Sequence, residues 1–240
     1  MFPLLFWLGV WVAAYLATGQ ELLIASPVSV MKRFAFVTEA AFWRCVGMSL
    51  YRAAMAYVLG IIIACMLAVL CHLWQWVDDL VRPALAVIRA TPVASFIILA
   101  LVWLSSSNVP ILTGMLMVVP VVFSNVKEGI DATDPQLLEM GRLFQWSRWK
   151  IFRRIIIPSV KSTFLAACEA CVGLCFKASI AAEVIGTPKN AIGTQLYSAK
   201  IYLETDTLMA WTLVVILLSM GIEKLLRCII RGGEKRVHHP

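Results

Sequence analysis

DPQLLEMGRLFQWSRWKIFRRIIIP, residues Asp134 to Pro158, is a charged segment between two long hydrophobic runs, and its reading decides the fold. Arg142, Arg148, Lys150, Arg153 and Arg154 place five cations within 13 residues. Each such charge costs about 2.5–3.5 kcal/mol or more at the middle of a bilayer, so the segment stays out of hydrocarbon. The bias of Lys and Arg toward the inner side assigns it to the cytoplasmic face. Leu137, Leu138, Leu143, Trp146, Trp149 and Phe152 recur near helical spacing, which predicts one or two short helices with an apolar and a polar side.

The rest of the chain supplies the membrane around that segment. Its 240 residues are 61% hydrophobic and 15% charged, with a mean hydropathy of +0.84. Soluble domains average about 45–50% apolar and about 25% charged, so this composition specifies an integral membrane protein. No ten-residue units of alternating polarity suggest a barrel, and the predicted class is all-α, with about six membrane helices. The net charge of +7 is explained by loops rather than by a nucleic-acid-binding surface.

Outward from the charged segment, six spans are expected. The first is the short run Phe2 to Ala17, which no Lys or Arg precedes and which is therefore not read as a signal peptide. Thr18 to Ala41 reads as an external connection. The second span runs from Phe42 to about Cys71, with Arg44 and Arg52 expected to snorkel to the interface. Asp78, Asp79, Arg82 and Pro83 read as a cytoplasmic loop. A third span starts after Pro92 and ends near Ser105–Ser107, because Pro92 restricts Thr91 to extended conformations. The fourth covers Val109 to Asn125 with a kink at Pro120, the fifth opens at Pro158, and the sixth covers Leu208 to Ile230, with Asp206 as a candidate cap. With both termini inside, the inner loops and tail carry 13 of the 21 Lys and Arg. The chain reads as one domain, 1–240, with a basic tail at 231–240.

Glu139, Arg142, Ser147-Arg148-Trp149, Phe152-Arg153-Arg154 and Ile155-Ile156-Ile157-Pro158 resemble the "EAA" loop of ABC-transporter permeases of the binding-protein-dependent importer type. Met140 and Gly141 stand where that pattern has two Ala, and Gln145 where it has Gly; the 19-residue spacing from Glu139 to Pro158 matches. Ala182-Glu183-Val184-Ile185-Gly186, with Ile192-Gly193 and Thr205-Asp206, is similar to the nitrate, sulfonate, taurine and bicarbonate branch. The resemblance implies a bacterial inner-membrane permease and a dimer with a second permease copy. It also implies cytoplasmic ATPase subunits that carry ATP and Mg²⁺, and an external solute-binding protein. It assigns ATPase coupling to Glu139, Met140, Gly141, Arg142, Gln145, Ser147, Arg148 and Pro158.

Lys177, Glu183 and Glu169 are candidates for the solute path; Lys177 lies mid-span and reads equally as paired with an acid from another helix, since neither Glu169 nor Glu183 shares its i, i+4 face. Glu183 reads either as part of an outer gate or as a helix-end acid in water. Cys168, Cys171 and Cys175 share a face and read as small packing residues rather than a soft-metal site. Trp43, Trp74, Trp76 and Trp211 read as interface anchors. His72, His238 and His239 show no ligand spacing. The chain has no Walker A loop, so ATP hydrolysis falls to a partner. No HExxH or GxSxG supports an integral membrane enzyme, and no internal repeat supports a stand-alone secondary transporter.

Overall fold

The structure, a computed structural model, describes residues 2–237; His238 and His239 lie outside them, and the side chains of Arg231, Lys235 and Arg236 are likewise not described. Eleven α-helices account for nearly all of it: α1 (Phe2–Thr18), α2 (Pro27–Arg33), α3 (Ala40–Leu73), α4 (Gln75–Ala90), α5 (Val93–Trp103), α6 (Val109–Asp131), α7 (Pro135–Leu143), α8 (Arg148–Ile151), α9 (Ile157–Gly186), α10 (Ile192–Ile201) and α11 (Thr205–Val237). A 3₁₀ turn, Phe34–Thr38, follows α2, and a π turn, Phe152–Ile156, joins α8 to α9.

The core is the bundle of α3, α6 and α9. Without a hydrophobic drive between helices in lipid, close packing has to come from small residues. Gly114 of α6 shows this: a Cβ there would lie 2.8 Å from Ala56 Cβ on α3 and 3.0 Å from Cys175 Sγ on α9. Cys171 and Cys175 are buried in this seam with Ala56, Ala64 and Ala68, and Tyr57 donates a hydrogen bond to the Cys168 carbonyl at 2.8 Å.

Among the described residues, three helical stretches are long and apolar enough to cross a membrane: Ala40–Leu73, Val109–Asp131 and Arg148–Gly186. The pair α4–α5, bent by 107°, would make a fourth. Here the structure departs from the sequence expectation. Residues 78–83 are helix, not loop, and the third span is an 11-residue helix after an elbow. At 1.5 Å per residue, α5 alone is about 16 Å long, roughly half the hydrocarbon thickness. Val77, Val81, Leu85 and Ile88 of α4 pack against the core, Asp78 is buried beside them and pairs with Lys127 of α6, and Asp79 and Arg82 are exposed, so an amphipathic helix results where charge and Pro83 suggested a turn. The break itself falls where Pro92 predicts it: Thr91 is extended, at φ −83° and ψ 131°, and α5 begins at Val93.

Candidate functional site: the α7–α8 protrusion and the opposite helix end

Asp134 caps α7 by accepting a hydrogen bond from the Gln136 N–H at 2.8 Å, with Pro135 in the first turn. The helix closes in a Schellman motif. The Trp146 N–H donates to Gly141 O at 2.9 Å and the Gln145 N–H to Arg142 O at 2.9 Å. In that motif the residue after the cap is left-handed, and Gln145 sits there at φ +51°. This is the position where the family pattern carries Gly. The turn therefore forms with Gln, at the cost of the left-handed conformation, about 1–2 kcal/mol for a residue with a Cβ. Ser147 then caps α8 by accepting from the Lys150 N–H at 3.3 Å.

Gly141 is buried against this second helix: a Cβ on it would lie 3.2 Å from Ile151 Cγ1 and 3.3 Å from Ile155 Cδ1. The remaining side chains turn outward. Glu139, Arg142, Arg148, Lys150, Arg153 and Arg154 are exposed and, among the described residues, make no ion pair. Leu143 is 83% exposed, with Phe144, Trp149, Leu137 and Met140 also open. The Lys150 ammonium lies 4.5 Å from the Trp146 ring centroid, and Trp149 stacks on Phe152. The protrusion thus presents an apolar surface interleaved with cations.

Pro158 does not open a new helix after a break. The helix runs without interruption from Arg148 to Gly186, through the π turn, in which the Ile157 N–H donates to Phe152 O. A proline inside a helix clashes with the carbonyl four residues back, and a wider turn just before it relieves that crowding.

The three residues considered for the solute path separate in the structure. Glu169 pairs with Arg227 of α11 at 2.5 Å. Lys177 meets Glu223 of α11 at 3.6 Å, over the gap left by Gly173, so a different helix supplies its acid. Glu183 is fully buried, which corrects the reading of a helix-end acid in water. Its Oε1 accepts from Arg52 Nη1 at 3.0 Å, and its Oε2 from Ser49 Oγ at 2.7 Å and the Gly193 N–H at 3.2 Å. Arg52 does not snorkel: it is 3% exposed and also donates to Lys189 O at 3.1 Å. Ser49 Oγ in turn accepts from the Ile192 N–H at 3.0 Å. Gly193 makes the junction possible, since a Cβ there would lie 2.4 Å from Glu183 Cβ and 2.5 Å from Val184 N.

Sequence reasoning missed Arg52 and Ser49 as partners; the signal available was an Arg ten residues inside an apolar run. Trp211 is also corrected. It is buried, stacked on Phe36 at 5.0 Å and Phe42 at 5.2 Å between ring centroids, not an interface anchor. Among the described residues no group of three or more His, Cys, Asp or Glu is arranged to hold a metal.

A small-residue helical core, a charged protrusion before the longest helix and a buried junction at that helix's far end define a membrane-embedded transporter subunit. The chain belongs to the binding-protein-dependent transport system inner membrane component family, whose profile matches residues 56–238. It is a permease subunit of an ABC importer, a transporter part rather than an enzyme, and such permeases work with ATPase and binding-protein partners. It is 20% identical to a putative aliphatic sulfonates transport permease protein of Bacillus subtilis, over 87% of this chain and 76% of that one. It is 23% identical to a formylaminopyrimidine transport permease protein of Halalkalibacterium halodurans, over 89% and 84%. It is 20% identical to a taurine transport system permease protein of Escherichia coli, over 92% and 82%. Among solved structures, an amino acid ABC transporter crystallised with histidines shares the fold with a TM-score of 0.67 at 19% identity, over 80% of this chain and 93% of that one. The inward-facing MetNI methionine ABC transporter does so with 0.62 at 13%, over 80% and 94%.

Proposed function

We propose that the α7–α8 protrusion is the surface through which a separate ATPase drives this permease. Exposed Glu139, Arg142 and Arg148, which have no ion-pair partner among the described residues, together with the open side chains of Met140, Leu143 and Trp149, support this reading most directly. Charged groups placed so fix register on a partner and lose water when it docks. Gly141, Gln145 and Ser147 shape the hairpin, and Pro158 with the π turn joins it to α9. ATP and Mg²⁺ belong to the partner.

In this reading α1 and α11 add two crossings to α3, the α4–α5 pair, α6 and α9, giving six, with both termini and the protrusion in the cytoplasm. The whole chain is one domain, and a second copy completes the path as a homodimer in the bacterial inner membrane. The solute is small and polar or anionic and arrives on an external binding protein, in keeping with relatives named for aliphatic sulfonates, formylaminopyrimidine, taurine and bicarbonate. Lys177, Glu169 and Glu183 bear on that path through the helices they pair.

Co-expression with an ABC ATPase from the same organism tests the coupling assignment. Glu139→Ala should fold and insert at normal levels yet recover at least tenfold less ATPase on purification, since truncating one partner of a desolvated charge pair costs about 2–5 kcal/mol. Undiminished recovery of an active ATPase would remove Glu139 from the interface.

A further inference from the structure

At the α4–α5 elbow, a cavity of about 430 Å³ opens between α4 and α6, lined by Arg82, Leu85, Arg89, Phe123 and Ser124. Arg82 and Arg89 stand seven residues apart on one face of α4. Arg82 pairs with Asp78 at 2.7 Å, a carboxylate that Lys127 of α6 also meets at 3.2 Å. Arg89 is different. Its protein acceptors are both uncharged, the Pro120 carbonyl at 2.6 Å and the Ser124 hydroxyl, and both bonds come from Nη2. A guanidinium carries five N–H donors, so Nε and both hydrogens of Nη1 remain to be filled. Among the described residues Arg89 has no ion-pair partner, although it lies in the bent stretch that would make the fourth crossing. Its side chain is exposed, so these free donors face the open cavity while Pro120 and Ser124 of α6 hold the guanidinium in place.

We infer that the elbow is an oxyanion subsite: Arg89 binds a sulfonate, phosphate or carboxylate group of the transported solute, with Ser124 as a further hydrogen-bond donor. The inference rests on the permease reading and narrows the solute to one with an anionic group. The planar fork of an arginine matches two oxygens of such a group, which a lysine at the same place cannot reproduce. Phe123 and Leu85 exclude water from one side and strengthen that contact. The elbow also puts Arg89 at the end of α4, beside the segment whose angle to α5 would change in any rocking of the subunit.

Arg89 could instead only pin α4 to α6, and a lipid phosphate carries the same chemistry as a solute. The test separates all three roles. The wild-type permease, co-purified with its ATPase in lipid-depleted maltoside, is melted while sulfate replaces chloride at constant ionic strength, and the titration is repeated with phosphatidylglycerol. The inference expects a saturable sulfate-dependent rise in Tm, lost in Arg89→Gln and weakened severalfold in Arg89→Lys, with any phosphatidylglycerol effect shared by all three proteins. It is overturned if sulfate raises the Tm of Arg89→Gln as much as that of wild type, if sulfate raises neither, or if only phosphatidylglycerol acts through Arg89. Recovery of the ATPase with wild type and both variants keeps a negative result distinct from failure of the permease assignment, which loss of the ATPase from wild type would show.

Discussion

The two ends of α9 solve the problem of charge in opposite ways. At one end Glu183, Arg52 and Ser49 are buried and spend their hydrogen bonds on one another and on the backbone of residues 189–193. At the other, Glu139 and five cations stand in solvent with no ion-pair partner among the described residues. The first arrangement ties α10 to α3 and α9; the second leaves its bonding capacity for another molecule. Stability should therefore depend on the first end and partner binding on the second.

The largest expected effect comes from opening the buried end. Glu183→Gln leaves the Arg52 charge buried with its carboxylate gone, and about 3–5 kcal/mol of stability should be lost, read as a fall in Tm and in the amount of inserted protein. The double variant Arg52→Met/Glu183→Leu should recover much of that loss, because replacing both ions with apolar groups removes the uncompensated charge. If the single and double variants are equally damaged, the pair does not work as a unit. Next, Gly193→Ala forces a Cβ into backbone atoms of α9 and should cost about 1–3 kcal/mol by the same measurement.

At the exposed end the sign reverses. Gln145→Gly relieves a left-handed residue and should raise stability by about 0.5–1 kcal/mol, with the Schellman hydrogen bonds retained. A fall in Tm would show that the Gln side chain makes a compensating contact.

The smallest effect belongs to Arg33 and Asp206, an exposed pair at 2.8 Å ahead of the apolar stretch that begins at Leu208. Burial works against the Asp206 carboxylate, but hydrogen bonds from Arg33 and Thr207 outweigh it and hold its pKa below the ordinary value. A depressed carboxylate adds stability above its unfolded pKa and loses it as pH falls through the folded one. Arg33→Gln should thus lower Tm slightly near neutrality, by no more than about 1 kcal/mol, and the difference from wild type should vanish in strong acid.

Local signals in the sequence were sufficient for the exposed end. Helical spacing predicts one or two short helices there, and the turn between them falls at Gln145, the position where the family pattern has Gly. Pro92 likewise marks the elbow. The buried end was not legible, because Ser49 and Arg52 meet Glu183 from more than 130 residues away and an arginine early in a span usually reaches for water. Trp211 failed for the same reason: its aromatic partners, Phe36 and Phe42, come from the other half of the chain. For α4, charge and Pro83 outvoted the apolar spacing of Val77, Val81, Leu85 and Ile88, which was the better guide.

The π turn at Phe152–Ile156 has a mechanical corollary. Such a turn holds one residue more than an α turn, and each residue advances a helix by about 100°. Deleting a single residue there would close it to an α turn over nearly the same arc, whereas deleting one from the regular stretch of α9 beyond it would swing the whole hairpin by about 100° around its axis. Leu143 and Trp149 would then point to a new azimuth with every local contact of the hairpin preserved. The π turn thus absorbs a residue that would otherwise turn the protrusion away from the face it now presents.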